Sequence, residues 1–273
     1  MANYTTKPDV KTIGTGGGAT GADDSVSGKP LHHEIPTLSA LALLSTSGYN
    51  KGAMDVITEN TRRLLHELPE GIHLVVAGKG RTVAELMAAI EGGAQIIGEN
   101  YVQEAQPVFA TIGGLAQWHF IGHLQKNKVR RAAELFDMIE TVDSAELAGE
   151  IDRRCRQIGK TMPVLIEINS ARETNKSGVT PGNAIDLARS ISALPDVRLM
   201  GLMTMGPADA DPEKSAASFA VTKKIFDDIA GLKLPGVEMK YLSMGMTDSY
   251  RLALQAGANI VRIGRGIFGA RRI

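Results

Sequence analysis

The sequence predicts a single (β/α)8 barrel, and three observations carry that prediction. Eight short runs rich in Val, Ile and Leu recur along the chain, longer segments with helical spacing separate them, and 273 residues suffice for one large α/β domain. Alternation of this kind argues for a parallel sheet, and eight repeats of it argue that the sheet closes. A doubly wound open sheet is the main rival.

The first element is "DVITENTRRLLHEL" (55–68), a helical pattern ahead of any strand, expected to cover the barrel's edge or bottom. Strand one is "IHLVVAG" (72–78), followed by the helix "TVAELMAAIEGG", which Thr opens and Gly closes. "QIIGEN" (95–100), "WHFIG" (118–122) and "MIETV" (138–142) are strands two to four, and "SAELAGEIDRRCRQIG" is the helix after them. "PVLIEIN" (163–169) and "RLMGLMT" (198–204) are strands five and six, with "PGNAIDLARSISAL" between them and "EKSAASFAVTKKIFDDIAGL" beyond. "YLSMG" (241–245), the helix "YRLALQAGA" and "IVRIG" (260–264) complete the set.

Residues 1 to about 34 are rich in Gly, Thr, Ser and Asp and show no apolar period, so they bury too little surface to offset chain entropy. The expected organisation is a flexible tail over 1–45 and a barrel domain over 46–273. A GxGxxG match in the tail (Gly16, Gly18, Gly21) lacks the preceding strand and following helix that a dinucleotide loop requires.

Thirty basic residues balance thirty acidic ones, which leaves no global field for nucleic acid or an anionic membrane. The lone cysteine, Cys155, rules out a disulfide framework or a cysteine-based zinc site and fits a reducing compartment. No run approaches the roughly 18 apolar residues of a membrane span. "MANYTTKPDV" lacks the layout of a secretory signal, and "LSALALLSTSG" (38–48) is short and starts too late. The expectation is a soluble, cytoplasmic monomer with a small ligand, and with neither nucleic acid nor membrane as partner.

In such a barrel the chemistry sits at the C-terminal ends of the strands. Those positions hold Lys79, Glu99 and Asn100, His119 and His123, Asn169, Met203 and Thr204, Ser243 to Thr247, and Arg262 to Gly266. "SMGMTDSY" places Gly245 in a turn where Asp248 or Ser249 can cap the next helix, and "RIGRGIFG" places Gly264 and Gly266 after the last strand. Glycine turns after strands seven and eight commonly hold a phosphate through backbone N–H groups and a helix N-terminus. A lysine opposite such a site suggests a phosphorylated carbonyl ligand held as a Schiff base. The alternative is a lysine that snorkels out of the barrel mouth. The surroundings of Lys79 do not match a Walker A loop.

The segments "VVAGKG", "GENYVQEAQ", "WHFIGHLQKNKV", "INSARETNKSGV", "GLMTMGP", "YLSMGMTDSY" and "VRIGRGIFGAR" stand in the order and spacing of the pyridoxal phosphate homeostasis proteins. Over about residues 54–273 the chain resembles that family, which is similar to the barrel domain of bacterial alanine racemases without its second domain. The resemblance implies that Lys79 carries pyridoxal 5'-phosphate (PLP) as a Schiff base. It implies that the turn Ser243, Met244, Gly245 and Met246, with the backbone at Gly264 and Arg265, holds the phosphate. By the same likeness Arg262 faces the pyridine nitrogen and Asn100 lies near the ring. His119 and His123 fall in a family signature, and either can be a satisfied core histidine.

The sequence departs from the family at three places. Gly78 and Gly80 flank Lys79 where hydroxyl residues are usual, and Arg265 replaces a small hydroxyl residue, so its side chain must pair with the phosphate or point away. Thr247 stands for a serine and Ser249 for an aspartate. Lys176, in "NKSGV", reads as a solvated loop lysine, with a salt bridge or a second, weaker PLP site as alternatives.

The chain ends eight residues after Arg265, and no second domain is expected. The resemblance therefore implies a PLP carrier in cofactor homeostasis with little or no catalysis, and PLP-dependent apoenzymes as partners. A minor amino-acid racemase is the competing enzyme reading, since racemisation needs a base on each face of the substrate. A sugar-phosphate enzyme using a lysine Schiff base is the reading from the fold alone.

Overall fold

The computed structural model describes residues 51–270 apart from Arg172, Thr174, Asn175, Ala208 and Ala210. The expected tail over 1–45 and its GxGxxG match lie outside the described residues.

The eight apolar runs are strands: β1 (His73–Ala77), β2 (Ile96–Glu99), β3 (Gln117–Phe120), β4 (Met138–Val142), β5 (Met162–Glu167), β6 (Val197–Thr204), β7 (Val237–Met244) and β8 (Ile260–Ile263). They pair in parallel and in sequence order, and β8 returns to β1 with Val75 opposite Arg262 and Val76 opposite Ile263. That last pairing closes the barrel and excludes the open sheet. The runs are nearly unbroken because helices cover the outer face while side chains fill the inner one, so both faces select apolar residues.

Helices α1 (Lys51–Glu67), α2 (Val83–Glu91), α3 (Val102–Ile112), α4 (Val129–Leu135), α5 (Ala145–Gln157), α6 (Ala184–Ser192), α7 (Pro212–Gly231), α8 (Tyr250–Gln255) and α9 (Arg265–Phe268) fill the connections. Thr82 and Glu85 form a reciprocal capping box on α2 and Ser144 caps α5, as read, while α7 starts earlier than its quoted run, capped by Asp211 with Pro212 in its first turn. The extra N-terminal helix α1 lies at the edge of the ring. It packs on α2 and α9, and Asn60 Nδ2 donates to the Ile267 carbonyl at 3.0 Å.

The main apolar core lies between strands and helices, around Trp118, Phe120, Phe136 and Phe219. The inner face carries smaller clusters, one of Val75, Ile96, Ile121 and Ile260 and one of Met138, Leu165 and Met203. β7 begins four residues before the predicted run, because Glu238 and Lys240 stay exposed on its first half and break the apolar pattern.

Candidate functional site

Two adjoining cavities open at the C-terminal ends of the strands. One, of ≈ 490 Å³, is bounded by Lys79 and Arg81 after β1, the 246–249 turn after β7, and Arg262, Gly264 and Arg265 at β8. The other, of ≈ 410 Å³, lies over β2 to β6 and includes Asn100, His123, Glu167, Asn169 and Lys176. Met205, Gly206, Pro207 and Met246 belong to both walls.

Lys79 follows a tight turn in which Arg81 N–H donates to the Gly78 carbonyl at 2.8 Å. Its side chain is half-buried, and Nζ donates to Tyr101 Oη at 3.1 Å while standing 4.6 Å from the centre of that ring. The lysine thus lines the cavity, with an exposed tyrosine as its protein partner.

Gly245 ends β7 at φ +89, a backbone that favours glycine, and a Cβ there would meet Ala253 Cβ and Tyr250 Cα at 2.7 Å. Its carbonyl accepts from Arg262 N–H at 3.0 Å, which ties the β7 turn to β8. Neither expected cap is made on α8. Ser249 Oγ instead accepts from Met246 N–H at 3.2 Å, and Asp248 pairs with the Arg265 guanidinium. Thr247 Oγ1 accepts from Gly266 N–H at 3.2 Å, so the two turns are stitched by side chains. Arg265 therefore has an intramolecular anion partner, and its own N–H is among the first-turn donors that a helix leaves without an intrahelical acceptor.

The turn assigned to Ser243 through Met246 is narrower than expected. Ser243 and Met244 belong to β7 and are fully buried, and of the four only Met246 lines the cavities. The Ser243 hydroxyl faces the barrel interior, where it accepts from Arg262 Nη1 and donates to Glu140 Oε2, both at 2.6 Å. Arg262, 3 % exposed, also donates to the Thr204 carbonyl at 2.8 Å. Glu140 Oε1 meets His119 Nδ1 at 2.6 Å. Bonds joining β4 to β7 must cross the barrel, so Arg262, Ser243, Glu140 and His119 form a polar chain inside it. Burial pushes the Glu140 acid up, but His119, Arg262 and Ser243 outweigh burial and hold it below the usual carboxylate range. His119 is thus a satisfied core histidine.

His123 is exposed, 3.1 Å from Ser177 Oγ and 3.8 Å from Asp143. Asn100 lies on the second cavity and not on the one that holds Lys79. Lys176 is not a solvated loop lysine: it pairs with Glu173 at 3.0 Å and donates to the Gly206 carbonyl at 2.8 Å. Sequence reasoning assigns no role to Tyr101, Glu140 or Glu167. An acid inside an apolar strand run, as in "MIETV" and "LIEIN", is the signal that marks two of them. Burial pushes Glu167 up to about 7, with Asp143 adding to the rise and Arg262 opposing it. Among the described residues no cluster of acidic, histidine or cysteine side chains is placed to hold a metal ion, and no helix is long and apolar enough to cross a membrane.

Residues 53–272 match the alanine racemase, N-terminal domain family. The pyridoxal phosphate homeostasis protein of Pasteurella multocida (strain Pm70) is 37% identical over 203 residues, spanning 73% of this chain and 87% of that protein. PipY of Synechococcus elongatus PCC7942, solved with PLP bound, superposes with a TM-score of 0.72 at 31% identity, over 78% of this chain and 100% of its own. An alanine racemase of Clostridium difficile 630 shares the fold at a TM-score of 0.68 and 17% identity, over 80% of this chain and 57% of its own. The chain belongs to the pyridoxal phosphate homeostasis protein family, on the barrel of the alanine racemase N-terminal domain.

Proposed function

We propose that this chain binds PLP in the cavity between β1, β7 and β8, holds it on Lys79 as a Schiff base, and serves intracellular PLP homeostasis as a carrier with little catalysis. The observation that carries the reading is the charge of that cavity. Lys79, Arg81, Arg262 and Arg265 line it against one carboxylate, Asp248. This donor set fits an anionic aldehyde. PLP, when bound, supplies an aldehyde for a lysine amine, a pyridine nitrogen and a phosphate.

Each residue then has a task. Lys79 presents Nζ to the cavity with Tyr101 as its hydrogen-bond partner. Gly245, Met246, Gly264 and Arg265 form the turns for the phosphate, with the Arg265 guanidinium able to exchange Asp248 for it. Arg262, its orientation set by Ser243 and Thr204, would meet the ring nitrogen as a fixed cation. An arginine there disfavours ring protonation and weakens the cofactor as an electron sink, which supports a carrier. Lys79 and Tyr101 are hydrogen-bonded to each other at one place on the cavity rim, an arrangement that offers no pair of bases set apart for racemisation. Asn100, across the shared wall, is the residue we place near the ring edge.

PLP-dependent apoenzymes are the proposed recipients, and the chain is proposed to act as a cytoplasmic monomer. Cys155 is buried and free, and burial pushes its thiol up to about 11, an inert group suited to a reducing compartment. Borohydride reduction of the purified protein followed by peptide mass spectrometry tests the site. The adduct is expected on Lys79 and absent from Lys79→Ala, which should stay folded. An adduct on Lys176 or Lys128 in the parent protein would refute the assignment.

A further inference from the structure

We infer that the second cavity is a binding site for the primary ammonium group of a small amine, anchored by Glu167. Glu167 ends β5, is 6 % exposed, and lines that cavity. Among the described residues its carboxylate accepts no hydrogen bond and forms no ion pair. Several of its polar neighbours are committed elsewhere. Ser170 Oγ bonds Thr204 Oγ1 at 2.7 Å and also Ser218, Asn169 bridges to the Glu173 backbone, and Lys176 is held by Glu173 and the Gly206 carbonyl. Glu167 is therefore an uncommitted carboxylate of that wall, and a buried carboxylate without a partner calls for a charged donor.

The ligand's charge follows from the groups that face this one. Asp143, beyond β4, adds a second negative charge with His123 3.8 Å from it on the same wall, while the Arg262 cation is shared with Glu140 through Ser243 and Lys176 is neutralised by Glu173. A cation completes the balance. A metal ion would need further acidic or histidine ligands, and no such group exists among the described residues. An ammonium needs one carboxylate and neutral acceptors, which the cavity supplies, and ≈ 410 Å³ admits a molecule of several heavy atoms. Burial holds Glu167 up at about 7, so an ammonium, by favouring the ionised acid, should bind more tightly as pH rises through that value.

Met205, Gly206, Pro207 and Met246 separate this site from Lys79, so an amine on Glu167 would sit beside the ligand held there. That adjacency rests on the PLP reading, but the ammonium site does not. The test uses the full-length protein freed of aldehyde cofactor and follows ethanolamine by calorimetry, with ethylene glycol as the uncharged control. Ethanolamine is expected to bind at millimolar concentration, at least tenfold more tightly at pH 8 than at pH 6, and at least tenfold more weakly to Glu167→Gln, while ethylene glycol binds to neither. Should Glu167→Gln fail to fold, Glu167→Asp and the pH series on the parent carry the same decision. Equal affinity for both probes, no binding of ethanolamine, or unchanged affinity in Glu167→Gln would overturn the inference. A Lys79→Ala variant that lost the cofactor adduct yet kept ethanolamine would separate this site from the PLP reading, and loss of ethanolamine in that variant would count against it.

Discussion

Glu99 stands in the barrel wall behind Lys79, and its charge should govern how stability varies with pH. The residue is 1 % exposed, Oε2 has no hydrogen-bond partner, and Oε1 lies 2.6 Å from where a Cβ on Gly78 would stand. Burial pushes this acid from 4.5 up to about 7, with the Glu104 carboxylate adding to the rise and the Asn100 N–H opposing it. An acid whose pKa is higher in the folded chain contributes its full share of stability below the unfolded value, and that share is lost as pH climbs from 4.5 to about 7. The gap corresponds to roughly 3 kcal/mol at pH 8. For a domain of this size that is roughly 6–12 °C in melting temperature. Glu99→Gln keeps the shape and removes the charge. Thermal melts of parent and variant at pH 5 and pH 8 are the assay. The variant should gain on the parent as pH rises, and the two melting temperatures should move relative to each other by most of that roughly 6–12 °C between the two conditions. A difference between the two proteins that is the same at both pH values would refute the reasoning, because no proton would then be linked to folding at this site.

Two further outcomes follow from the geometry and a third from the composition of the N-terminal segment. Arg265→Thr should weaken PLP retention roughly ten- to a hundredfold, from a charge-assisted bond of about 1.5–3 kcal/mol, while Asp248→Asn should tighten it by releasing the guanidinium. Dialysis against apo-protein with absorbance as readout decides, and parent-like retention in both variants would place the side chain outside the phosphate site. Gly245→Ala should destabilise by about 1–3 kcal/mol in urea melts and reduce cofactor content, because the new methyl would press on Ala253 and Tyr250 at a positive φ. Gly264→Ala, whose Cβ would meet Ala77 at an ordinary 3.4 Å, should change stability far less. Deleting residues 1–45 should leave melting temperature and PLP content nearly unchanged, and a large fall in either would show that the segment supports the barrel.

The strands are legible because a parallel barrel buries both faces of each, which turns them into apolar runs that need no partner to be read. The start of β7 is not, since Glu238 and Lys240 stay in water and imitate a loop. Lys79, Gly245, Gly264 and Arg262 are legible as strand-end residues of the types that a phosphorylated aldehyde requires. Ser243 falls among them because a serine beside a glycine turn resembles a phosphate ligand, whereas its partner Glu140 lies 103 positions away. The Arg265–Asp248 pair and the position of Glu167 on a second cavity depend on how separate loops meet in space, and local spacing carries no record of that.

The barrel's seam bears on how the chain is made. β1 is hydrogen-bonded to β8, and α1 reaches α9 through a contact between Asn60 and Ile267 that spans 207 positions. Loop closure over such a distance is the entropically slowest contact to form. At about 5–20 residues per second, a ribosome takes roughly 10–40 s to bridge that interval. Throughout it the outer edge of β1, "HLVVA", has no neighbour on one side, and it is apolar and rich in β-branched residues. The same edge carries Lys79 at its end, so the nascent chain presents an aggregation-prone strand and the lysine-bearing strand as one element until β8 arrives.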